Sequence, residues 1–248
     1  MKKNLLFILV IAFLFESNIG CKKTYTYSSD QVTDYVQLQI GKYITYRLDS
    51  LEFINFGTQD TIVSYLAKDV IDDTITDNLG RPSFRVIRYL SDTTGTAPWT
   101  PNETYMITPT RQALEVIENN MRFLKLELPI VNGFTWLGNS YIDTNSPYSG
   151  VTFMDGWNYT YDSVGGSFAV PYGVVANTIT IQQANDSSGN PGVDSVISSR
   201  TFSEEVYGKN IGLIYKNLVN WQYQPPNISV PVGSTTGFGI TLRMVDHN

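Results

Sequence analysis

Cysteine and histidine are almost absent from this sequence, which contains one of each, Cys21 and His247, among 248 residues. A single cysteine cannot form a disulfide bond within the chain, so a packed core must stabilise the fold. Catalysis by a Cys–His or Ser–His–Asp arrangement needs an enclosed, oriented imidazole, and the one histidine is the penultimate residue. A zinc site of cysteine and histidine ligands is excluded for the same reason. We therefore expect no metal and no cofactor.

Positive charge is also scarce. The chain has 17 lysine and arginine residues against 23 acidic residues, and its formal net charge is −6. Nucleic acids are bound by clustered positive charge, so we expect no nucleic-acid partner. The excess of acidic residues is explained by the solubility that a net charge gives the protein.

The first 21 residues have the three regions of a secretory signal. Met1 to Lys3 are basic, Leu5 to Phe15 form an unbroken apolar run, and a short polar stretch follows. The apolar run is too short for a transmembrane helix, which needs about 20 residues to cross a bilayer core. We expect residues 1–20 to be removed.

The sequence around Cys21 resembles the lipobox of bacterial lipoprotein precursors, because Gly20 directly precedes a lone cysteine. In that family the thiol receives diacylglycerol, the signal is cleaved before the cysteine, and the new amino group is acylated with a chain such as palmitate. The resemblance implies lipid attachment at Cys21 and a membrane as partner, and two or more acyl chains give stable anchoring. We expect an outer-membrane lipoprotein. Lys22 and Lys23 are not an acidic signal for surface export, which favours the periplasmic face.

The mature chain is predicted to have two parts. Residues 21–35 are polar, with almost no aliphatic side chain, and should behave as a flexible tether. Residues 36–248 are assigned to a single all-β domain, because all-β domains commonly reach about 200 to 250 residues. The 16 tyrosines of the chain favour strands over helices.

Alternation of apolar and polar residues identifies several strands. Near the start of the domain, apolar residues occupy even-numbered positions: Val36, Leu38, Ile40, Ile44, Tyr46 and Leu48. This period of two indicates a strand with one buried face. Residues 60–76 and 83–90 predict a hairpin around Gly80, and residues 240–244 predict a last strand that pairs with the first. The fold class is therefore all-β: an antiparallel meander that forms a strongly curved sheet, a barrel or a sandwich, with few or no helices outside the signal.

The pattern of one segment, residues 111–128, is compatible with two kinds of secondary structure, a helix and a β-hairpin. Its apolar residues match the three-and-four spacing of a helix, but Asn119 and Asn120 divide it into two short runs. Leu124, Leu126 and Leu128 alternate with charged residues, as in a strand. We favour a hairpin.

Three stretches, residues 128–136, 177–183 and 205–215, together resemble secreted β-rich bacterial domains of unassigned role. The first contains a Pro, Gly and Trp pattern, and the last contains Gly208 and Gly212 around a Tyr-Gly and Ile-Gly-Leu pattern. The two glycines suit a tight crossing, where side chains would obstruct close approach of backbones. The resemblance implies an uncharacterised lipoprotein domain and gives no activity.

Two groups of aromatic residues are candidate ligand-binding residues. Trp157, Tyr159 and Tyr161 share one strand face, and Trp221 and Tyr223 repeat the pattern. If exposed, such rows form platforms for sugar rings or peptides, and if buried they form core. We favour core.

Three functional hypotheses follow. The leading one is a lipid-anchored, non-catalytic binding or structural β-domain with a glycan or an envelope protein as partner. The first alternative is a barrel that carries a hydrophobic ligand or binds carbohydrate. The second is a glycoside hydrolase, which needs only two carboxylates at the correct separation; Asp155, Glu204 and Glu205 are candidates.

The lipobox resemblance predicts the chemical state of the mature N-terminus. Mass spectrometry of the protein purified from membranes should find Cys21 as the first residue, with its mass increased by diacylglycerol and by an amide-linked acyl chain. An unmodified thiol at Cys21, or an intact leader on the mature protein, would contradict the prediction.

Overall fold

The computed structural model describes residues 30–147, 149–190, 193, 195–228 and 231–248. The predicted signal peptide, Cys21 and residues 21–29 of the predicted tether lie outside the described residues. Within the described residues, no helix is long and apolar enough to cross a membrane.

The described residues form one antiparallel sheet of twelve strands, and the only helical segments among them are the short 3₁₀ turns Val32–Tyr35, Asn55–Gly57 and Thr152–Met154. The strands are β1 Tyr43–Ile54, β2 Gln59–Thr76, β3 Pro82–Ser91, β4 Thr100–Pro109, β5 Ala113–Glu118, β6 Met121–Glu127, β7 Thr135–Trp136, β8 Tyr159–Val170, β9 Gly173–Ser188, β10 Ser198–Gly208, β11 Gly212–Gln224 and β12 Ser234–His247.

The sheet consists of two meanders that meet at the first and last strands. Its order is β6-β5-β4-β3-β2-β1-β12-β11-β10-β9-β8-β7. Strand β1 pairs with β12 in antiparallel register, with Leu48 opposite Leu242. The predicted pairing of the first and last strands is therefore confirmed. Every strand is paired with the next strand in the chain, except β6 and β7, which lie at the two ends of this order, so the sheet is a meander as predicted.

The two outer strands of the sheet, β6 and β7, meet and nearly close it into a barrel. The Leu124 amide donates to the Gly138 carbonyl over 2.8 Å, and the Trp136 indole N–H donates to the Leu124 carbonyl over 2.7 Å. The Tyr161 hydroxyl bonds both backbone groups of Glu127, at 2.8 Å and 3.1 Å. These contacts cover groups that would otherwise be exposed sheet edges. The predicted all-β, strongly curved or barrel-shaped fold is confirmed.

The hairpin at residues 111–128 is confirmed as well. Strands β5 and β6 are joined by Asn119 and Asn120, whose φ angles are 52° and 61°. Two consecutive left-handed residues match the twist of a tight hairpin, and asparagine tolerates this conformation better than most residues. The hairpin of β2 and β3 also forms where the sequence predicts it.

The first strand begins later than predicted. Strand β1 starts at Tyr43 because Gly41, with φ of 87°, turns the chain, and Ile40 is 55% exposed. The alternation across 36–48 therefore does not represent one strand. The residues before the turn lie over one end of the barrel.

Residues 30–35, which the sequence analysis assigned to the tether, are packed onto this end of the barrel. Val32 and Tyr35 are only 2% and 1% exposed, respectively, and belong to the main core. The Asn210 amide donates to the Asp34 carbonyl over 2.6 Å, and Lys209 pairs with Asp30. Two apolar side chains thus suffice to bury a segment that is otherwise polar.

Candidate functional site

Charged side chains from both meanders meet inside the barrel. We call this group the interior ion cluster. It consists of Asp69, Arg88, Glu103, Glu118, Lys125, Glu205 and Lys216, which lie on β2, β3, β4, β5, β6, β10 and β11.

The most completely bonded part of the cluster is the pair of Asp69 and Arg88, which lie opposite each other on β2 and β3. Arg88 donates from Nε and Nη2 to the two carboxylate oxygens, each over 2.7 Å, and the Tyr105 hydroxyl donates to Asp69 over 2.9 Å. Burial alone would lower the pKa of Arg88, but the adjacent carboxylate holds that pKa well above its ordinary value. The Arg88 guanidinium is therefore charged, and the two parallel hydrogen bonds fix its orientation toward Asp69.

A second buried pair crosses the barrel from β6 to β10. Lys125 Nζ lies 2.6 Å from Glu205 Oε1, and the Tyr207 hydroxyl donates to Glu205 Oε2 over 2.9 Å. The two side chains are 8% and 1% exposed. Burial would raise the pKa of Glu205, but Lys125 and Lys216 hold it below the ordinary value. The Glu205 carboxylate therefore stays charged, because a cation and a hydroxyl are hydrogen-bonded to it.

Glu118 and Glu103 complete the cluster and differ in acidity. Lys216 lies 3.9 Å from Glu118, and Arg88 lies 4.0 Å from Glu118 and 3.4 Å from Glu103. The positive charge of Lys216 lowers the pKa of Glu118 to about 2 despite burial. Burial, together with repulsion from Glu118, raises the pKa of Glu103. Glu103 is therefore the carboxylate of this pair that takes up a proton first as the pH falls.

The cavity beside the cluster is small. Its volume is about 100 Å³, and its lining mixes the charged residues with apolar ones such as Ile71, Val86 and Leu242. Pockets for drug-sized ligands span about 300 to 1,000 Å³. This cavity is much smaller and carries fixed charges, so the geometry does not support carriage of a large hydrophobic ligand.

The three carboxylates named from the sequence do not converge. Glu205 belongs to the interior ion cluster, and Glu204 is its neighbour on the same strand, so the two point to opposite faces of the sheet. Asp155 is exposed on a loop and accepts a hydrogen bond from the Thr144 hydroxyl over 2.8 Å. These three residues therefore do not form the facing pair that glycoside hydrolysis requires.

Three of the five predicted aromatic platform residues are core. Trp157, Tyr159 and Tyr161 are 6%, 1% and 0% exposed, and the Trp157 indole N–H donates to the Phe153 carbonyl over 2.9 Å. The favoured interpretation as core is correct for these three. Trp221 and Tyr223 lie apart from them on β11 and are partly exposed.

Trp221 lies at a groove on the rim of the barrel. The groove has a volume of about 410 Å³. It is lined by Thr152, Phe153, Ser199, Asn220, Trp221, Gln222, Thr236 and Gly237. None of these residues carries a charge. The groove lies where β11 ends and β12 begins, and residues 30–42 cover the other end of the barrel.

Sequence reasoning did not identify the interior ion cluster. The signal was present, because each cluster residue shares strand parity with core residues: Arg88 follows Val86 by two positions, and Glu118 follows Val116 by two. A charged residue in phase with a buried apolar face is directed into the interior. Only the assembled barrel shows which opposite charge it meets there.

No group of three or more potential metal-ligating residues is found among the described residues. No protein-family model matches the sequence, and no curated protein matches it. A solved structure from Bacteroides fragilis, of a presumed exported protein with a YmcC-like fold, has a TM-score of 0.42 and 10% sequence identity to this chain. The match covers 86% of this chain and 98% of that one. This similarity identifies neither a family nor a function.

The burial of the Lys125–Glu205 pair predicts how strongly its removal should destabilise the protein. Lys125→Met removes one partner and leaves a buried carboxylate without its cation, so the free energy of unfolding should fall by about 3–5 kcal/mol. The double variant with Glu205→Gln should recover most of this loss, since no unpaired charge remains. Urea unfolding measures both effects.

The matched control is Arg47→Met, which breaks the more exposed pair with Asp49 and should cost at most about 1 kcal/mol. Equal losses for Lys125→Met and Arg47→Met would show that burial of the Lys125 pair has no energetic consequence.

The lowered pKa of Glu118 predicts how the free energy of unfolding depends on pH. Its pKa is about 2 in the folded protein, against 4.5 for an ordinary glutamate. This carboxylate therefore stabilises the fold fully above about pH 4.5, and the contribution is lost as the pH falls toward 2. Between pH 4.5 and pH 2 the free energy of unfolding should therefore fall less in Glu118→Gln than in the wild type, by at most about 3 kcal/mol. Glu103→Gln should steepen the decline, because the pKa of Glu103 is raised. Parallel profiles for the two variants, measured by urea unfolding, would refute this assignment.

Proposed function

We propose that this protein is a lipid-anchored component of the bacterial cell envelope, attached through Cys21, and that its barrel binds a partner and does not catalyse a reaction. The basic start, the short apolar run and Gly20 before Cys21 support export and lipidation. The net charge of −6 supports a partner other than nucleic acid.

The observation that carries the non-catalytic part is the pairing of the most deeply buried charges in the barrel interior. The buried acids Asp69 and Glu205 are each paired with a cation at hydrogen-bonding distance and with a tyrosine hydroxyl. A general acid or nucleophile needs access to substrate, and these groups are directed at each other. Binding is therefore assigned to the outer surface and the rim of the barrel.

The orientation of the barrel supports this assignment. Asp30, which pairs with Lys209, is only nine residues after Cys21, and residues 30–42 cover one end of the barrel. The rim groove lies at the other end, and β12, with 14 residues, runs between the two ends. At about 3.3 Å per residue, that strand spans about 45 Å. An anchored barrel can therefore present the groove away from its own membrane, toward a glycan or an envelope protein.

Subcellular fractionation of the Cys21→Ser variant tests the anchor. The wild-type protein should sediment with outer membranes and dissolve only in detergent, whereas Cys21→Ser should be absent from the outer-membrane fraction because no acyl chain is attached. Ser28→Ala, downstream of the lipobox-like sequence, is the control and should behave like the wild type. If Cys21→Ser sediments with the membranes as the wild type does, lipid attachment at Cys21 is wrong.

Protease treatment of intact cells tests the membrane face in the same strains. We propose the periplasmic face, so the protein should be protected until the outer membrane is opened. Digestion in intact cells would place it on the cell surface.

A further inference from the structure

A row of apolar residues crosses the outer face of the sheet at the middle of its strand order. Each residue of the row is directly opposite the next one on the neighbouring strand. We call it the outer apolar row, and from β10 to β2 it consists of Phe202, Val219, Gly239, Leu51 and Ile62. At about 4.8 Å between strands, the row is about 19 Å long. It contains no polar side chain.

Strand parity places the row on the outside of the barrel. Glu205 and Lys216, which belong to the interior ion cluster, are opposite each other on β10 and β11. Val219 lies three positions after Lys216, and successive side chains alternate between faces, so it points outward. Ile62 is 63% exposed, and the other side chains of the row are partly exposed and belong to neither core cluster. The row is therefore an apolar surface.

Polar side chains border the row on the side of the barrel end that residues 30–42 cover. The next outward-facing row there is polar throughout and consists of Glu204, Asn217, Thr241, Asp49 and Ser64. Asp49 accepts hydrogen bonds from Arg47, Arg243 and Ser64 over 3.0, 2.8 and 2.6 Å. On β1 the outer face thus changes from charged to apolar between Asp49 and Leu51.

The opposite border continues the apolar surface toward the rim. Phe53 on β1 and Trp221 on β11 both point outward and are partly exposed. Residues 217–242 include no charged residue. The charged residues at this border are Arg200, opposite Trp221, and Asp60, opposite Phe53, so they lie at the two sides of the surface. Its centre is uncharged.

Two turns beside this surface expose apolar side chains completely. Phe56, between β1 and β2, and Ile228, between β11 and β12, are 101% and 106% exposed. The φ of Phe56 is 58°, a left-handed conformation that is unfavourable for a bulky residue. Its ring buries no surface in the protein that would offset this cost. Neither side chain stabilises the fold by burial, so both are available to an external surface.

A second copy of the chain and a small ligand fit this surface poorly. The row, with Phe53 and Trp221 beyond it, covers about 19 Å by about 7 Å. Each partner of a stable protein interface buries about 800 Å², which is several times more. A small apolar ligand needs a concave site, whereas the outer face of a barrel is convex.

A lipid bilayer matches these features. Its fluid interfacial region accepts protruding apolar and aromatic side chains without a complementary surface, and charged residues at the border can remain among the headgroups. A bilayer is also within reach, because Asp30 lies nine residues after Cys21. Nine residues span about 30 Å when extended. This length lets the barrel lie with its outer face on the membrane that holds the lipid.

We propose that the outer apolar row, with Phe56 and Ile228 beside it, enters the interfacial region of the bilayer that holds Cys21, so that the anchored barrel lies along its membrane. The proposal rests on the proposed lipid anchor and names a second contact of the barrel with the membrane. Gln222 and Thr236 of the rim groove point to the inner face of the same strands. That side of the sheet is therefore turned away from the membrane.

The experiment locates two labelled positions relative to the lipid. Ile62 lies in the row, whereas Leu137 lies beside β7 at the closure of the barrel, which is opposite β1 and β12 in the strand order; the two side chains are 63% and 58% exposed. Ile62→Cys and Leu137→Cys each receive a fluorophore, because an acylated Cys21 has no free thiol. The mature lipidated protein is added to preformed vesicles of dioleoylphosphatidylcholine. One quencher is a phospholipid with a nitroxide near the top of its acyl chain, and the other is iodide in the water.

We expect the nitroxide lipid to quench the label at position 62 at least about twofold more strongly than the label at position 137, because an interfacial surface is buried about 5–10 Å into the headgroup boundary. Iodide should show the reverse order. Leu51→Glu and Val219→Glu each place a charge in the row and should remove the lipid quenching at position 62. Circular dichroism of both variants checks that the sheet is retained.

Equal lipid quenching at positions 62 and 137 overturns the proposal, as does quenching at position 62 that survives both glutamate substitutions in folded protein. Protection from iodide at position 62 without lipid quenching would show that protein covers the row, and it also overturns the proposal. If Cys21 proves to be unacylated, the same labels on Cys21→Ser are mixed with the vesicles. The anchor and the outer apolar row are thereby tested separately.

Discussion

The ion pair of Lys125 and Glu205 links the two halves of this barrel through its interior. Lys125 lies on β6, at one end of the sheet order, and Glu205 lies on β10 in the other meander. The chain has one cysteine, so no disulfide can make this connection. The pair is energetically useful only while both charges are buried together, because either one alone would remain desolvated without a partner. Closure of the sheet and pairing of the charges therefore depend on each other.

The same interior charges limit what the barrel can do. A barrel of this kind can hold a ligand only if its interior is wide. Here Arg88 and Tyr105 both bond Asp69 on neighbouring strands of one wall, and Lys125 bonds Glu205 across the space. The remaining cavity of about 100 Å³ is bordered by these groups. The interior charges are thus paired with each other, whereas the groove on the rim is open to the surface. There the groove beside Trp221 has polar groups that the protein itself does not bond.

Much of the fold could be predicted from the sequence because it depends on local patterns. Alternating residues mark the hairpin of β2 and β3, and Asn119 and Asn120 mark the turn between β5 and β6. The start of β1 could not be placed, since residues 36–40 alternate in the same phase as the strand but belong to the segment over the barrel end. Gln37 in this segment donates a hydrogen bond to the carbonyl of Asn210, which is distant in the chain.

The sequence by itself determined that the domain is all-β and that no disulfide within the chain holds it together, and it predicts a signal that ends at a lone cysteine. These properties depend on composition and on spacing within a few residues. The tertiary structure decided which aromatic residues are core and which one lies at a groove, because Tyr161 and Trp221 have similar local patterns but different neighbours. It also decided that Arg88, Lys125 and Glu205 are buried as paired charges. Burial of a charge depends on a partner brought from a distant strand, and no local pattern specifies that partner.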